Sequence, residues 1–140
     1  MRILLTGATG YIGKRLLPFL LQEGHEVWCC VRDKDRFQPP QHTKGSIHTL
    51  EIDFLEANRL PEQTPEQFDV AYYLMHSMAS VINDFEDLEA KVARQFLKAI
   101  EDKKVRQIIY LSGMVNAEEL SNHLESRLQV ENILNEMNKD

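Results

Sequence analysis

The sequence predicts an α/β fold of three layers, in which helices cover both faces of a doubly wound parallel sheet. Short runs rich in Val, Ile and Leu alternate along the 140-residue chain with longer amphipathic segments. This alternation is typical of parallel sheets that are covered on both sides. Glycines also recur where the first strand gives way to the first helix. Right-handed crossovers then favour about five strands in the order 3-2-1-4-5.

Each strand is predicted from a short apolar run, and each helix from apolar residues that recur every three or four positions. The strands are expected at Arg2–Thr6, Glu26–Val31, Ile47–Ile52, Asp69–Leu74 and Val105–Leu111. The helices are expected at Tyr11–Glu23, Asp84–Asp102 and Asn122–Met137, and Gly24 is a natural residue to end the first of them. Residues 33–45 and 61–67 are interpreted as connecting segments, the former with one helical turn.

The composition excludes several classes of protein. Hydrophobic residues make up 43% and charged residues 27% of the chain, which indicates a soluble globular domain. The net charge of −6 argues against nucleic acid as the main partner, and no apolar run is long enough to span a membrane. Cys29 and Cys30 are adjacent and match no metal-binding pattern. We interpret them as buried free thiols of a cytoplasmic protein without a metal site.

The most informative stretch is TGATGYIG, Thr6 to Gly13. Its three glycines predict a phosphate-binding turn between a strand and a helix. Gly7 would allow a tight turn, Gly10 would let the backbone approach a pyrophosphate, and Gly13 would let the helix pack closely against the sheet. The predicted cofactor-binding residues of this turn are Gly7, Thr9, Gly10, Tyr11, Ile12 and Gly13.

The spacing TGxxGxxG resembles the short-chain dehydrogenase/reductase superfamily, and in particular its extended and atypical branches. Later segments fit the same resemblance over nearly the whole chain: HEVWCCVRD, LEID, AYYLMHSM, IIYLSG and HLESRLQVENIL. The resemblance implies a Rossmann fold that binds NAD(P). It also implies an activity among the oxidoreductases and sugar-nucleotide epimerases, or a role like that of the NmrA-like redox sensors.

The end of the second strand bears on the choice of dinucleotide. Arg32 could pair with a 2′-phosphate, which favours NADP, whereas Asp33 could accept hydrogen bonds from the ribose hydroxyls of NAD. The resemblance places Asp53, with Phe54 beside it, at the adenine amino group; the alternative is that Asp53 caps the end of its strand. The resemblance also places three residues on the path of the nicotinamide ribose: Leu74, Met75 and His76.

The typical Tyr-x-x-x-Lys pair of the superfamily is absent from this chain. Ser112 is the candidate for the serine that steadies the substrate oxygen. His123 and Arg127 share the i,i+4 geometry of the missing pair, so they are the candidates for its role. In the alternative interpretation, His123 caps the start of the helix and Arg127 is a surface residue or contacts the ribose.

The length and the chemistry leave two functions open. The chain is interpreted as a single NAD(P)-binding domain, residues 1–140, without the substrate-binding region of the family, either as a truncated gene product or as an excised domain. It would then be part of an oxidoreductase or epimerase-like enzyme with a small-molecule substrate; the alternative is a non-catalytic redox sensor. Since the fifth strand would keep a free edge, self-association through that edge or through the last helix is also expected.

Overall fold

A computed structural model describes residues 1–41, 43–76, 85–111 and 122–139. Five parallel strands form one sheet in the order β3-β2-β1-β4-β5, which confirms the predicted topology. The strands are β1 (Arg2–Thr6), β2 (Glu26–Val31), β3 (Ser46–Glu51), β4 (Gln67–Tyr73) and β5 (Lys104–Tyr110). The first two match their predicted bounds, and the other three begin one or two residues earlier than predicted.

Three α-helices connect or follow the strands. They are α1 (Tyr11–Gln22), α2 (Phe85–Ala99) and α3 (Asn122–Leu134). Short 3₁₀ helices at Lys34–Arg36 and Asn135–Lys139 complete the described elements. The first is the helical turn expected between β2 and β3, and the second takes over where the last helix was predicted to continue. The predicted start of the second helix, Asp84, lies outside the described residues.

Helix α1 ends because Gly24 follows it in the left-handed region, with φ of 82°. The Gly24 N–H donates to the carbonyl of Leu21, and the His25 N–H donates to that of Leu20, at 3.0 and 3.2 Å. This is the Schellman arrangement, in which glycine adopts the positive φ without the cost that a Cβ adds. The predicted role of Gly24 as the helix terminator is confirmed.

The sheet has a separate hydrophobic core on each face. Helix α1 packs on one face, over residues of β1 and β2 such as Ile3, Leu5 and Val27. Helices α2 and α3 pack on the other face, where Phe96 and Val130 meet the fully buried ring of Tyr73. The two layers of helices around the sheet confirm the predicted three-layer fold.

The two cysteines are free and buried, one on each face of the sheet. Burial raises the pKa of the Cys29 thiol to about 12 and also raises that of Cys30, because a thiolate is poorly solvated in the core. Both behave as small apolar side chains, as the sequence predicts.

Strand β5 lies at one edge of the sheet. Its inner side pairs with β4 over most of its length, and among the described residues no strand pairs with its outer side. The predicted association through this edge stays a prediction, as does association through the last helix.

A buried threonine ties β1 to β4 beyond the end of their ladder. The Thr6 hydroxyl donates to the Tyr72 carbonyl at 2.8 Å and accepts from the Leu74 N–H at 3.2 Å. The regular pairing of the two strands ends at Leu5 and Tyr72. Thr6 is fully buried, so its two hydrogen bonds replace the water that these backbone groups would otherwise bind. They also set the position from which the chain leaves both strands.

The contribution of the Thr6 hydrogen bonds to stability can be tested against a second buried hydroxyl, that of Tyr73. Thr6→Val removes the hydroxyl at nearly constant volume and leaves the Leu74 N–H without its partner, so we expect the free energy of unfolding to fall by about 1–3 kcal/mol. The buried Tyr73 hydroxyl has no hydrogen-bond partner among the residues that the structure describes. Tyr73→Phe is therefore expected to leave the free energy of unfolding unchanged or to raise it. Urea denaturation followed by circular dichroism measures both, and an equal loss in the two variants would contradict the assignment.

Candidate functional site

The turn between β1 and α1 packs directly against the end of β4. Gly7 has φ of 70°, and a Cβ added there would lie 2.5 Å from the carbonyl oxygen of Leu74. Both the left-handed backbone and the close approach therefore require glycine at this position. This confirms the conformational role predicted for Gly7, and it identifies the end of β4 as the surface on which the turn rests.

Gly13 is required by the turn itself. A Cβ at this position would overlap the carbonyl oxygen of Gly7 and would lie 2.9 Å from the Cα of Ala8. The sequence-based expectation was that Gly13 lets the helix approach the sheet. The nearest atoms to such a Cβ belong to the preceding loop, so Gly13 lets the first turn of α1 pack closely on that loop, and its role in the approach of the helix to the sheet stays a prediction.

Gly10 differs from the other two glycines. Its φ of −78° and ψ of 175° are accessible to any residue. Among the described residues, a Cβ at Gly10 would meet only the Gly7 carbonyl oxygen, at 3.4 Å, which is at the border of ordinary contact. Gly10 is also exposed. Neither its backbone conformation nor its packing against the part of the chain that the structure describes accounts for glycine here.

The amino end of α1 is open. Gly10 is its N-cap, no side chain of the described residues caps it, and its first turn carries no acidic residue. The Gly10 N–H donates to the Gly7 carbonyl at 3.1 Å. The next N–H groups, at the positive end of the helix dipole, are oriented toward the surface. Thr9, Tyr11 and Ile12 around them are exposed.

The loop after β2 separates the roles of its two charged residues. The Asp33 carboxylate accepts from the Asp35 N–H at 3.0 Å and forms an ion pair with Arg36 at 3.5 Å. It thereby caps the short 3₁₀ helix. Arg32 is exposed and has no ion pair within the described part of the chain. Of the two, Arg32 is the side chain available to an external ligand.

Asp53 and Phe54 follow β3 and have different surroundings. One oxygen of the Asp53 carboxylate accepts from the Leu55 N–H at 3.0 Å, and its carbonyl accepts from the N–H groups of Glu56 and Ala57. Asp53 thus starts a turn, as the capping alternative predicts. The Phe54 ring is buried in the core, edge-on to Phe96 with 5.8 Å between ring centres, so its side chain does not line the surface.

The end of β4 leads from the core to the same edge of the sheet. Leu74 is buried and Met75 is partly buried against the core of α2 and α3. His76 follows at the surface. Partial burial of the imidazole, and then the positive charge of Arg127, lower the pKa of His76 below its ordinary value of 6.5. The neutral imidazole is therefore the dominant form at neutral pH.

Helix α3 is joined to the end of β5 by a hydrogen bond that the sequence analysis did not identify. The Tyr110 hydroxyl donates to the backbone carbonyl of Arg127 at 3.4 Å. Burial raises the pKa of Tyr110 to about 12, although the Arg127 charge acts in the opposite direction. Tyr110 is thus a packing and positioning residue, and its phenol is protonated at neutral pH.

The predicted catalytic residues are described only in part. Arg127 is exposed on α3, and its charge acts on both His76 and Tyr110. The backbone of His123 belongs to α3, but its side chain lies outside the described residues, and so does the whole of Ser112. The structure therefore brings Arg127 to the edge where His76 leaves β4.

The proximity of His76 and Arg127 can be tested by NMR. Removing the guanidinium charge with Arg127→Gln is expected to raise the pKa of His76 toward 6.5, because less repulsion then opposes protonation. Since the folded pKa lies below the unfolded one, protonation of His76 destabilises the fold as pH falls below 6.5. A titration of the His76 ring protons measures the shift, with Arg106→Gln as the control. An unchanged His76 pKa in Arg127→Gln would contradict the assigned proximity.

Neither a metal site nor a membrane span is found in the described part of the chain. No group of three or more His, Cys, Asp or Glu residues there could hold a metal ion. None of the described helices combines the length and the apolar character needed to cross a membrane.

Solved structures of known proteins share this fold. The oxidoreductase ylbE from Lactococcus lactis matches with a TM-score of 0.75 and 19% identity, over 98% of this chain and 64% of its own. UDP-glucose 4-epimerase from Bifidobacterium longum, solved with NAD⁺ and UDP, matches with a TM-score of 0.78 and 18% identity over 99% of this chain and 49% of its own. The chain thus spans 49–64% of the length of these two proteins.

UDP-N-acetylglucosamine 4-epimerase from Bacillus cereus is similar at a TM-score of 0.70 and 19% identity, over 100% of this chain and 50% of its own. No curated protein gives a match. The model of the NAD dependent epimerase/dehydratase family matches residues 3–132, which is most of the chain. With its sheet order and its glycine turn, the chain belongs to the NAD dependent epimerase/dehydratase family.

Proposed function

We propose that the chain binds NADP(H), with the pyrophosphate on the open amino end of α1. In this proposal it is the dinucleotide-binding domain of an oxidoreductase or of an epimerase-like enzyme of its family. The observation that carries the proposal is Gly10. Neither its backbone conformation nor its packing against the described residues requires glycine, whereas a pyrophosphate must approach the backbone closely at this point.

The electrostatics of the turn support the same proposal. A helix start without a side-chain cap and without an acidic residue in its first turn is less stable than a capped one. An anionic ligand supplies what is missing, because it accepts hydrogen bonds from the open N–H groups and interacts favourably with the dipole. In our proposal the exposed residues Thr9, Tyr11 and Ile12 contact the ligand around this anion.

The preference for NADP over NAD rests on the loop after β2. Asp33 would be the carboxylate for the ribose hydroxyls of NAD, but it caps its own loop and pairs with Arg36. Arg32 is free to form charge-assisted hydrogen bonds with a 2′-phosphate. At the other end of the adenosine, the Asp53 oxygen that does not cap the turn would accept from the adenine amino group.

The nicotinamide end would lie along the residues that follow β4, next to α3. The bound dinucleotide would supply hydride transfer, and the chain would orient it. Arg127 remains charged, so it can donate hydrogen bonds to a ribose or a substrate oxygen but cannot carry a proton. We propose that His123 transfers the proton to or from the substrate, and that Ser112 holds the substrate oxygen in place. His76 and Met75 would be neighbours of the cofactor.

The related structures support one further part of the proposal. In the L. lactis and B. longum proteins, 64% and 49% of the chain correspond to this one. We propose that residues 1–140 are the NAD(P)-binding domain, and that the groups that select a small-molecule substrate lie outside this segment.

Gly10 provides the direct test. Gly10→Ala is expected to change the free energy of unfolding by less than about 1 kcal/mol, but to weaken NADPH binding by at least about tenfold, since its methyl group stands where the pyrophosphate approaches. Binding is measured by the fluorescence of NADPH. Gly24→Ala is the matched control, because Gly24 has a positive φ and empty space around it; it should lose stability and keep affinity. Equal NADPH affinity in Gly10→Ala and the unmodified chain would refute the proposed site.

Arg32 decides the choice of cofactor. Arg32→Ser is expected to weaken NADPH binding by about ten- to a hundredfold, the equivalent of about 1.4–2.8 kcal/mol, and to leave NADH binding nearly unchanged. Lys34→Ser, in the same loop, serves as the control for the loss of one positive charge, because Lys34 is exposed and, unlike Arg36, does not pair with Asp33. If the affinities for NADPH and NADH fall equally in Arg32→Ser, the arginine does not bind the 2′-phosphate. If the unmodified chain prefers NADH, the preference for NADP is wrong while the site itself stands.

A further inference from the structure

The loop that carries Arg32 is attached to the end of β3 by a side chain. Glu51 is the last residue of β3, and its carboxylate accepts a hydrogen bond from the Lys34 N–H at 3.0 Å. The contact joins β3 to the loop that leaves the neighbouring strand, β2. Because Lys34 follows Arg32 by two positions, this hydrogen bond lies close to the arginine backbone.

A second hydrogen bond holds the chain on the other side of Arg32. The Ile52 N–H, just after β3, donates to the Val31 carbonyl at 2.8 Å. It extends the parallel pairing of β2 and β3, in which Val31 lies opposite Glu51. The backbone of Arg32 is therefore flanked by two attachments to the end of β3, one at Val31 and the other at Lys34.

Glu51 also completes the start of the short 3₁₀ helix at Lys34–Arg36. The first N–H groups of a helix have no partner within the helix itself. Here the Asp33 carboxylate accepts from the Asp35 N–H, and the Glu51 carboxylate accepts from the Lys34 N–H. Asp33 belongs to the loop, whereas Glu51 belongs to the sheet. Of these two caps, Glu51 is the one that fixes the loop relative to β3.

The position of the Arg32 backbone matters because the proposed contact with a 2′-phosphate is directional. A guanidinium binds a phosphate most strongly when its planar donors face two of the oxygens. The Arg32 side chain is exposed, so its reach is determined mainly by where the loop holds its backbone. A loop that is already ordered in the free protein also loses less conformational entropy when a ligand binds.

We propose that Glu51 is a positioning residue for the choice of cofactor, because its hydrogen bond to the Lys34 N–H holds Arg32 where it meets the 2′-phosphate of NADP(H). This inference rests on the proposed NADP(H) site. Glu51 does not touch the cofactor and acts through the backbone of the loop. Loss of its hydrogen bond therefore weakens the dinucleotide that carries a 2′-phosphate more than the one that lacks it.

The charge of Glu51 and its hydrogen bond act in opposite directions. A carboxylate near a phosphate repels it, whereas the ordered loop favours binding. Glu51→Gln removes the charge and keeps a side-chain oxygen that can accept from the Lys34 N–H. Glu51→Ala removes both. The comparison of these two variants thus isolates the effect of the hydrogen bond.

Fluorescence titrations with NADPH and NADH test the proposal. Glu51→Ala is expected to bind NADPH about three- to tenfold more weakly than Glu51→Gln, which is the contribution of one hydrogen bond, and to bind NADH as Glu51→Gln does. When Arg32→Ser is also present, Glu51→Ala should change the NADPH affinity by less than about twofold relative to Glu51→Gln, since Glu51 acts through Arg32. A purely structural role would weaken both cofactors, with or without Arg32.

Amide hydrogen exchange tests the hydrogen bond without a cofactor. The Lys34 N–H is expected to exchange about three- to tenfold faster in Glu51→Ala than in Glu51→Gln. The Gly24 N–H, which donates to the Leu21 carbonyl at the end of α1, is the control and should exchange equally in both variants. Circular dichroism checks that both variants are folded.

Two results would overturn the role of Glu51 alone. One is equal NADPH affinity, or equal exchange of the Lys34 N–H, in Glu51→Ala and Glu51→Gln when the unmodified chain prefers NADPH. The other is an NADH affinity that falls as much as the NADPH affinity in Glu51→Ala. An unmodified chain without a preference for NADPH would refute the proposed cofactor choice itself, and the role of Glu51 in it. That outcome is recognised from the unmodified chain, before any variant is compared.

Discussion

The contact between the β1–α1 turn and the end of β4 determines the position of everything else in the site. The Gly7 backbone packs against the Leu74 carbonyl so closely that no Cβ would fit between them. The buried Thr6 hydroxyl bridges the backbone of the same two strands. Through this contact the amino end of α1 and the residues that follow β4 come to one edge of the sheet. A pyrophosphate site and a nicotinamide site can therefore be parts of one crevice.

The three glycines of the turn have different roles: two are required by the fold, and the third by the proposed ligand. Gly7 and Gly13 serve the fold, because a side chain at either would overlap backbone atoms. Nothing in the described part of the fold requires glycine at position 10, and no side chain there caps the helix start beside it. The opposite end of α1 has the complete Schellman arrangement. The carboxyl end of α1, which has a structural role alone, is thus capped by its own backbone. The amino end has free N–H groups that an anion would satisfy.

The fold could be predicted from the sequence because local and long-range signals agree. The buried strands read as continuous apolar runs, and the crossover rule leaves few ways to order them. The role of Gly7 was also predictable, since glycine before a helix start is a strong local signal. Element ends were predicted less closely: the residues of the last helix beyond Leu134 form a 3₁₀ helix, a distinction that depends on packing rather than on apolar spacing.

The finer features of the site depend on contacts between distant residues, which a single sequence does not display. The role of Thr6 arises from backbone groups more than sixty residues away. The Asp33 carboxylate is engaged by Arg36 and by the 3₁₀ helix, and these contacts depend on how the loop folds. For Gly13 the need for glycine could be predicted, but the close contact of its backbone with the loop that precedes α1 could not. For Phe54 the aromatic ring belongs to the core.

The pKa values and charges near the ends of β4 and β5 bear on which side chain could carry a proton in the proposed site. Tyr110 lies at the end of β5, but its pKa of about 12 and its hydrogen bond to the Arg127 carbonyl make it a fixed donor at neutral pH. Arg127 itself carries a permanent charge. That charge, together with partial burial, keeps His76 neutral, so the imidazole can accept a hydrogen bond but is a weak base. In our proposal, for a chain without the Tyr-x-x-x-Lys pair, proton transfer would be the role of His123, on the same helix as Arg127. The guanidinium would substitute for the lysine as a fixed positive charge one helical turn away.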